Sequence, residues 1–239
     1  MNRYLIFGAT SGIGAAIADD AFARGASVIG VGRNQEALAQ LEARGALVFG
    51  CDLSDYEARK ELWASLSQEC STIDRVVFAS GVASRGRPGE FDSEGLRRMF
   101  EVNTLSALEL IQWSMQLSAE SVVTLLSSNL AQSPLPHTVG YSASKAAVEA
   151  ATRASASTLA GQGIRLNCIA PGPVDTPMLR GQFPSTTSAE QGVASLAGLG
   201  PLGRIGEVSD VVQTLRYIED ATWLTGQVIT IDGGFSCPT

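Results

Sequence analysis

The sequence predicts an α/β fold in which helices cover both faces of a single, doubly wound parallel sheet of about seven strands. Short apolar runs alternate with helical patterns along the 239 residues, and this alternation is typical of parallel strands joined by helical crossovers. Runs such as Val28–Val31 are apolar throughout, as expected for a strand that is covered on both faces. Because no linker, charge block or repeat divides the chain, we expect one domain over residues 1–239.

Hydrophobic spacing predicts each element in turn. The expected strands are Arg3–Phe7, Ser27–Val31, Ala46–Gly50, Arg75–Ala79, Val122–Leu126, Arg165–Ala170 and Val228–Ile231. The expected helices, rich in Ala, Leu, Glu, Arg and Gln, are Ile13–Arg24, Gln35–Arg44, Tyr56–Gln68, Ser93–Leu117, Ser142–Ala160 and Val208–Glu219. The proline-containing stretch Thr176–Leu202 is expected to be a long functional loop, with a disordered insertion as the alternative.

The charge and hydropathy of the chain argue against nucleic-acid and membrane partners. The net charge is −7, whereas a nucleic-acid site needs clustered Lys and Arg. No apolar run approaches the ~18 residues of a membrane span. The run Arg3–Phe7 leads directly into a glycine-rich segment, whereas a signal peptide would be longer and end at a cleavage site. A cytoplasmic location is therefore expected.

Metal and disulfide sites are not expected from the cysteine and histidine content. Cys51, Cys70, Cys168 and Cys237 show no CxxC spacing, and His137 is the only histidine. A zinc site or a disulfide framework needs closer or regular spacing. Cys51 and Cys168 lie at the ends of apolar runs, so we expect them to be small core residues.

A glycine-rich segment between the first strand and the first helix predicts a site for a pyrophosphate. Its sequence is Gly8-Ala9-Thr10-Ser11-Gly12-Ile13-Gly14. Glycines allow the backbone to turn tightly and to approach a phosphate, whose charge the N-terminus of the helix favours. A strand-to-helix turn without a ligand is the alternative.

The ends of the second and third strands carry charged residues suited to an adenosine group. Arg33 follows Gly32, where an acidic residue would bind the ribose hydroxyls of NAD, and an arginine suits a 2′-phosphate instead. The alternative for Arg33 is a surface residue without a role. Asp52 and Leu53 follow the third strand, and the alternative for Asp52 is an N-cap of the next helix.

Three polar residues near the fifth strand form a candidate catalytic group. Tyr141 and Lys145 are four residues apart, so they share one face of the expected helix. Ser128 follows the fifth strand, at the edge of the sheet where open α/β folds bind ligands. Together with the GxxxGxG spacing of the glycine segment, this pattern resembles the short-chain dehydrogenase/reductase family.

The resemblance covers nearly the whole chain and implies a Rossmann-type domain that binds NADP(H). It implies that Asn103 supports a water relay that ends at Lys145. It also implies that Asp52 contacts the adenine and that Val174 and Thr176 lie near the nicotinamide carboxamide. The cofactor residues expected on this basis are Gly8, Thr10, Ser11, Gly12, Ile13, Gly14, Arg33, Asp52, Leu53, Ala79, Ser80, Gly81, Asn103, Tyr141, Lys145, Pro171, Gly172, Val174 and Thr176. A purely structural role is the alternative for Asn103.

Two departures from the family pattern affect the region around the first and fourth strands. Phe7 stands where the family usually has Thr, and Phe78-Ala79-Ser80-Gly81 stands where it usually has Asn-Asn-Ala-Gly. The asparagines of the family tie the fourth strand into the sheet and border the cofactor. Their replacement removes no catalytic group, but it is expected to affect the rigidity of this segment and the turnover rate.

The chemistry of hydride transfer accounts for the residue types in the candidate catalytic group. Hydride addition to a carbonyl produces an alkoxide that needs a proton, which Tyr141 can supply if the pKa of its phenol is lowered from ~10. A Lys ammonium ~5 Å from the phenol, at an effective dielectric of ~20, contributes roughly 3 kcal/mol, or about two pKa units. Ser128 can donate a hydrogen bond to the carbonyl oxygen.

These features together predict an enzyme that transfers a hydride between NADP(H) and a small carbonyl compound or secondary alcohol, with NAD(H) as the less favoured cofactor. The mostly uncharged segments Asn129–Val139 and Thr176–Leu202 are expected to line the substrate side, which argues weakly against a highly anionic substrate. The alternatives are a catalytically idle NADP-binding sensor or scaffold and a 3-oxoacyl-carrier-protein reductase. The reductase should show a basic docking patch, which the acidic balance of the chain disfavours.

Cofactor choice and assembly complete the expectations. Arg33→Ala is expected to remove a preference for NADPH of at least about tenfold, and Gly32→Asp is expected to reverse it. Apolar residues beyond those that one buried face needs favour a homo-oligomer, a tetramer or a dimer. Those residues lie in the helical patterns Ser93–Leu117 and Ser142–Ala160 and include Leu105, Leu108, Trp113 and Ala150.

Overall fold

The computed structural model describes residues 2–70, 72–90 and 92–237, and the expected domain bounds 1–239 include positions outside them. It confirms the α/β fold: seven parallel strands form one sheet in the order β3-β2-β1-β4-β5-β6-β7. The strands are β1 (Arg3–Phe7), β2 (Ser27–Gly32), β3 (Leu47–Gly50), β4 (Arg75–Phe78), β5 (Val122–Leu126), β6 (Arg165–Pro171) and β7 (Val228–Ile231). Each begins and ends within one residue of the position that its apolar run predicts.

The helices cover both faces of this sheet. They are α1 (Gly12–Ala23), α2 (Gln35–Ala43), α3 (Tyr56–Glu69), α4 (Ser93–Phe100), α5 (Ser106–Trp113), α6 (Val139–Ala160), α7 (Pro177–Arg180), α8 (Thr186–Leu199) and α9 (Val208–Asp220). Residues of α1, α2 and α9 pack on one face of the sheet. Residues of α3, α5 and α6 pack on the other. Within the described ranges, no helix combines the length and the apolar character needed to cross a membrane.

The strand order reverses between β1 and β4, and this switch point positions the candidate site. The chain proceeds from β1 outward to β3 and then returns to place β4 on the other side of β1. Loops after β1 and β4 therefore diverge in opposite directions and leave a crevice at the carboxyl ends of the strands. The register pairs the last residues of the two strands, Phe7 and Phe78.

An aromatic cluster accounts for the phenylalanine at the end of β1. The rings of Phe7 and Phe78 are fully buried, with centroids 5.5 Å apart, and the Phe7 centroid lies 5.4 Å from that of Trp63. Trp113 extends the cluster at 6.0 Å from Trp63 and donates a hydrogen bond to Ser67. The expectation that Trp113 supplies surface for assembly is therefore wrong, because its side chain fills the core beneath α5.

The expected helix Ser93–Leu117 is broken by a π-helical turn, Glu101–Leu105, between α4 and α5. The Ser106 amide donates to the Glu101 carbonyl, five residues back. Side chains from the turn are fixed by distant segments: the Asn103 amide bonds to Val82, and the Thr104 hydroxyl donates to the Ser144 carbonyl. These long-range contacts compensate for the irregular backbone, which hydrophobic spacing alone does not predict.

The stretch Thr176–Leu202 contains two helices, so the expectation of an irregular or disordered loop is wrong. Thr176 caps α7 by accepting from the Leu179 amide, and Pro177 occupies its first turn. Ser185 begins α8 through a capping box with Ser188. Helix α6 likewise begins at Val139, three residues before the position that the sequence pattern predicts.

Candidate active site

Two adjoining cavities occupy the crevice at the carboxyl ends of the strands. The first, of about 290 Å³, lies between the glycine segment and the ends of β2 and β3. The second, of about 540 Å³, lies between the ends of β5 and β6, the start of α6 and the α7–α8 region. Six residues border both cavities, so the two cavities adjoin. The shared residues are Ile13, Ala79, Ser80, Gly81, Thr176 and Met178.

The glycine segment forms a cradle that side chains would fill. Gly8 and Gly12 have positive φ angles of 81° and 53°, which glycine adopts without strain. A Cβ on Gly14 would lie 2.1 Å from the Gly8 carbonyl oxygen, so this glycine allows α1 to pack against the turn. Helix α1 has no acidic residue in its first turn, and the dipole at its N-terminus favours an anion there. The cradle fits a pyrophosphate.

Charged residues border the first cavity where the adenosine group is expected. Arg33 Nη1 lies 3.8 Å from Asp52 Oδ2, and Arg98 Nη2 lies 3.4 Å from the same oxygen. Asp52 accepts hydrogen bonds from the amide and the hydroxyl of Ser54, which lower the pKa of its carboxyl against the effect of burial. Helix α3 is capped by Asp55. The alternative role of Asp52 as that cap is therefore wrong.

Gly32 leaves no room for a side chain. A Cβ at this position would lie 2.5 Å from Cγ2 and 2.9 Å from Oγ1 of Thr10 in the glycine segment. A carboxylate introduced at Gly32 would therefore displace Thr10. Gly32→Asp alone is thus not expected to reverse the cofactor preference, contrary to the expectation from the sequence.

The fifth strand and α6 bring the three candidate catalytic residues to the second cavity. Ser128 follows β5 with an extended backbone, and its Oγ accepts from the Leu130 amide, so its hydroxyl proton can be donated elsewhere. Tyr141 lies in the first turn of α6, and Lys145 follows one turn later. Lys145 Nζ donates to the Leu126 carbonyl at 2.8 Å. All three line the cavity.

Burial dominates the protonation equilibria of this group. It raises the pKa of the Tyr141 phenol, and a hydrogen bond with Ser128 acts in the opposite direction. Burial also lowers the pKa of Lys145 to about 8, and the neighbouring Cys168 opposes that shift. The expectation that Lys145 lowers the pKa of Tyr141 is thus not met in this structure, because burial outweighs the hydrogen bond with Ser128 and sets the direction of the shift.

Asn103 lies beside the group but lines neither cavity. Its Oδ1 accepts from the Val82 amide, and its Nδ2 donates to the Val82 carbonyl and to Ser144 Oγ. A Cβ on Gly81 would be 3.4 Å from both Asn103 Oδ1 and Lys145 Nζ, so these residues meet around Gly81. The Asn103 side-chain amide therefore connects the segment after β4 to α6. The segment after β4 is the one that lacks the asparagines usual in the family.

The residues expected near the nicotinamide lie at the end of β6 and line the second cavity. Pro171, Gly172 and Val174 border it, and a Cβ on Gly172 would lie 2.6 Å from Asp232 Cβ. Val174 forms a bridge with Gly206. The Thr176 hydroxyl accepts from the Leu179 amide and donates to the Val174 carbonyl, both at 3.3 Å. Its first role is therefore to cap α7.

Three segments line the second cavity where the substrate is expected, and the sequence indicated two of them. The segment Asn129–Val139 and the α7–α8 region both contribute lining residues, as expected. The third segment follows β4 and includes Arg85, which reasoning from the sequence missed because nothing local connects it to the site. Across the described ranges, no group of three or more His, Cys, Asp or Glu residues is arranged to bind a metal ion.

Comparisons with known proteins agree with this geometry. A profile of the family described as Enoyl-(Acyl carrier protein) reductase matches residues 8–236. Versicolorin reductase 1 of Aspergillus parasiticus is 32% identical, with 96% of this chain and 94% of that protein covered. Cis-4-hydroxycyclohexanecarboxylate dehydrogenase of Sinomonas cyclohexanicum is 29% identical, with 97% and 95% covered.

Solved structures agree with the fold over the full chain. A short chain dehydrogenase family protein from Francisella tularensis matches with a TM-score of 0.89 at 21% identity, and each chain is covered completely. A structure of an actinorhodin polyketide ketoreductase with NADPH matches with a TM-score of 0.86 at 26% identity, with 99% of this chain and 98% of the other covered. The chain belongs to the short-chain dehydrogenase/reductase family of oxidoreductases.

Proposed function

We propose that the protein is an NADP(H)-dependent oxidoreductase that interconverts a ketone or aldehyde and the corresponding alcohol. One observation carries this proposal: Ser128, Tyr141 and Lys145 line a cavity that adjoins the one beside the glycine cradle. A dinucleotide in the cradle would therefore reach the three side chains. An idle sensor or scaffold needs only the cradle, and the retained catalytic group favours an enzyme.

Tyr141 is the proposed acid and base of the reaction. The cofactor supplies a hydride to the carbonyl carbon, or accepts one from the alcohol carbon. Tyr141 donates its phenolic proton to the carbonyl oxygen during reduction and accepts it during oxidation. The raised pKa of the phenol keeps it protonated at neutral pH, which suits the direction of reduction.

Ser128 and Lys145 support that proton transfer. The Ser128 hydroxyl donates to the oxygen on which negative charge develops. With a pKa of about 8, Lys145 remains mostly protonated at neutral pH and can restore the proton of Tyr141. Asn103 acts as a positioning residue, since its side-chain amide donates hydrogen bonds to Val82 and to Ser144. Val82 is next to Gly81 in the chain, and Ser144 is next to Lys145.

Arg33 is the proposed basis of a preference for NADP(H). Its side chain borders the first cavity beside Ser11 and Gly32, where a 2′-phosphate would meet a guanidinium and a hydroxyl and no carboxylate on Gly32. The ketoreductase of similar fold was solved with NADPH, which supports the same choice here.

Assembly into a homo-oligomer is also proposed. Leu105, at the end of the π-helical turn, and Leu108 of α5 are each 40% exposed, and Ala150 of α6 is exposed. Apolar surface of this kind commonly lies in an interface, so a second copy of the chain would cover it.

Turnover with isotope-labelled cofactor tests the proposed reaction. Purified protein is incubated with NADPH carrying deuterium at C4 and with cyclic and linear ketones, aldehydes and a crotonyl thioester. We expect deuterium on the carbinol carbon of a ketone product. Deuterium only in the reduced thioester would indicate an enoyl reductase, as the description of the matching profile suggests. Cofactor binding without transfer to any compound would support the sensor alternative.

A further inference from the structure

The charges that line the second cavity differ from those of the chain as a whole. The protein carries a net charge of −7, yet none of the described residues that line this cavity is Asp or Glu. The fixed cations among them are Arg85 and Lys145. An anion that enters the cavity therefore meets positive charge without a competing carboxylate.

Arg85 is held in place across the entrance. It follows β4, and its Nε donates to Gln182 Oε1 at 2.9 Å, in the connection between α7 and α8. The guanidinium carbon lies 5.8 Å from the centroid of the Phe183 ring. These contacts use Nε, and within the described ranges no carboxylate forms an ion pair with Arg85, so its two terminal nitrogens can bind a ligand in the bidentate manner typical of carboxylates.

The two cations of the cavity have different environments. Lys145 is buried and donates to the Leu126 carbonyl. Arg85 is exposed at the mouth of the cavity, whereas Ser128 lies in the interior. The reacting carbonyl would lie at the interior end, so Arg85 would contact the opposite end of the same molecule.

Large apolar side chains also line this cavity. Leu135, Met178 and Leu199 line the cavity and are 48%, 39% and 74% exposed. Large apolar side chains exposed at a cavity mouth gain free energy when a ligand covers them. The ligand that fits this wall has an apolar body.

We propose that the substrate is a ketone with an apolar body, or the corresponding secondary alcohol, that carries a single carboxylate which Arg85 binds at the mouth of the cavity. This inference rests on the proposed function and specifies its substrate class. It also revises the expectation from the sequence, which considered only the uncharged segments Asn129–Val139 and Thr176–Leu202 and so disfavoured anionic substrates.

A pair of substrates, one anionic and one neutral, tests the proposal. The probes are 4-oxocyclohexanecarboxylate and its methyl ester, reduced at saturating NADPH by wild type, Arg85→Met, Arg85→Lys and Arg87→Met. Met retains much of the apolar stem of Arg85. Arg87 is an exposed arginine two residues away that does not line the cavity, so its variant controls for the loss of one charge.

A charge-assisted hydrogen bond stabilises a bound ligand least when its protein partner is exposed to solvent, as Arg85 is. We therefore expect kcat/KM for the acid to fall about tenfold in Arg85→Met. The ester value should stay within about twofold, Arg85→Lys should restore part of the loss for the acid, and Arg87→Met should match wild type. Equal losses for acid and ester, or an equal loss in Arg87→Met, would overturn the proposal.

A binding measurement separates this proposal from the reaction itself. Cyclohexanecarboxylate has neither a ketone nor an alcohol, so its affinity for the NADP⁺-saturated protein, measured by calorimetry against cyclohexanecarboxamide, does not depend on turnover. Tighter binding of the carboxylate that disappears in Arg85→Met would support the anion site even if no ketone were reduced. Equal affinity for the two compounds in wild type would refute the site, whatever the outcome for the reaction.

Discussion

Arg33 is the residue on which the proposed preference for NADP(H) depends, and its surroundings set the size of the effect. Its side chain is 53% exposed and lies 3.8 Å from Asp52. Asp52 has other partners, since Arg98 lies 3.4 Å away and Ser54 donates two hydrogen bonds to it. Arg33 can therefore turn toward a phosphate without leaving the carboxylate unpaired.

The magnitude follows from the two interactions that compete for Arg33. An exposed ion pair such as that with Asp52 contributes at most about 1 kcal/mol. A charge-assisted hydrogen bond to a phosphate contributes about 1.5–3 kcal/mol. The difference, about 0.5–2 kcal/mol and centred at ~1.2 kcal/mol, corresponds to roughly tenfold in affinity. We expect Arg33→Ala to weaken NADPH binding by about this factor and to change NADH binding by less than about twofold, because NADH lacks the phosphate.

Titration of the intrinsic tryptophan fluorescence with each cofactor measures both dissociation constants. Wild type should bind NADPH at least about tenfold more tightly than NADH, and Arg33→Ala should bind them about equally. Arg98→Ala is the matched control, since it removes the other arginine that pairs with the same carboxylate oxygen of Asp52. Equal affinities in wild type would refute the assignment, and so would an equal loss of NADPH affinity in Arg98→Ala.

Three further predictions concern cofactor choice, stability and assembly. Gly32→Asp alone should weaken both cofactors because of its contact with Thr10, whereas Gly32→Asp with Thr10→Ala should prefer NADH; reversal by the single variant would contradict this. Burial lowers the pKa of Lys145 from 10.5 to about 8. Below pH 8 the buried ammonium therefore lowers the free energy of unfolding by about 3 kcal/mol, and this destabilisation disappears as the pH rises to about 10.5. Lys145→Met should therefore melt above wild type at pH 7 and lose that advantage by pH 10.5, and a melting-temperature difference independent of pH would contradict the shift. Light scattering should give an oligomer for wild type and about 25 kDa for Leu108→Glu, with Leu202→Glu as the exposed-leucine control; a wild-type monomer at micromolar concentration would refute assembly.

The fold was predictable because its signals are local. Buried parallel strands produce continuous apolar runs, and the β1–α1 turn needs glycine at positions where a positive φ or a close approach excludes side chains, as at Gly8 and Gly14. The caps of α7 and α8 were equally local: Thr176-Pro177 and Ser185 are N-terminal helix signals. The prolines and glycines of the same stretch are typical of a loop, so its composition and its capping residues point in opposite directions.

Other features depend on contacts between distant parts of the chain, which hydrophobic spacing does not encode. The π-helical turn is accompanied by two hydrogen bonds between the Asn103 side chain and the Val82 backbone, 21 residues away. Arg85 reaches the cavity through its contact with Gln182, 97 residues away. The pKa of Tyr141 could not be anticipated from its spacing to Lys145, since desolvation of the assembled site determines the direction of the shift.

The turnover of Tyr141→Phe tests the central claim most directly. The variant removes the phenolic hydroxyl and retains the ring, so it should bind NADPH with nearly the wild-type dissociation constant and lose turnover of any ketone that wild type reduces. Tyr217→Phe, at an exposed tyrosine of α9, should retain wild-type kcat. We predict that kcat of Tyr141→Phe at neutral pH falls by a factor of about a hundred or more, in line with the contribution of a general acid. A kcat above about a tenth of the wild-type value would contradict the assignment of Tyr141 as the proton donor.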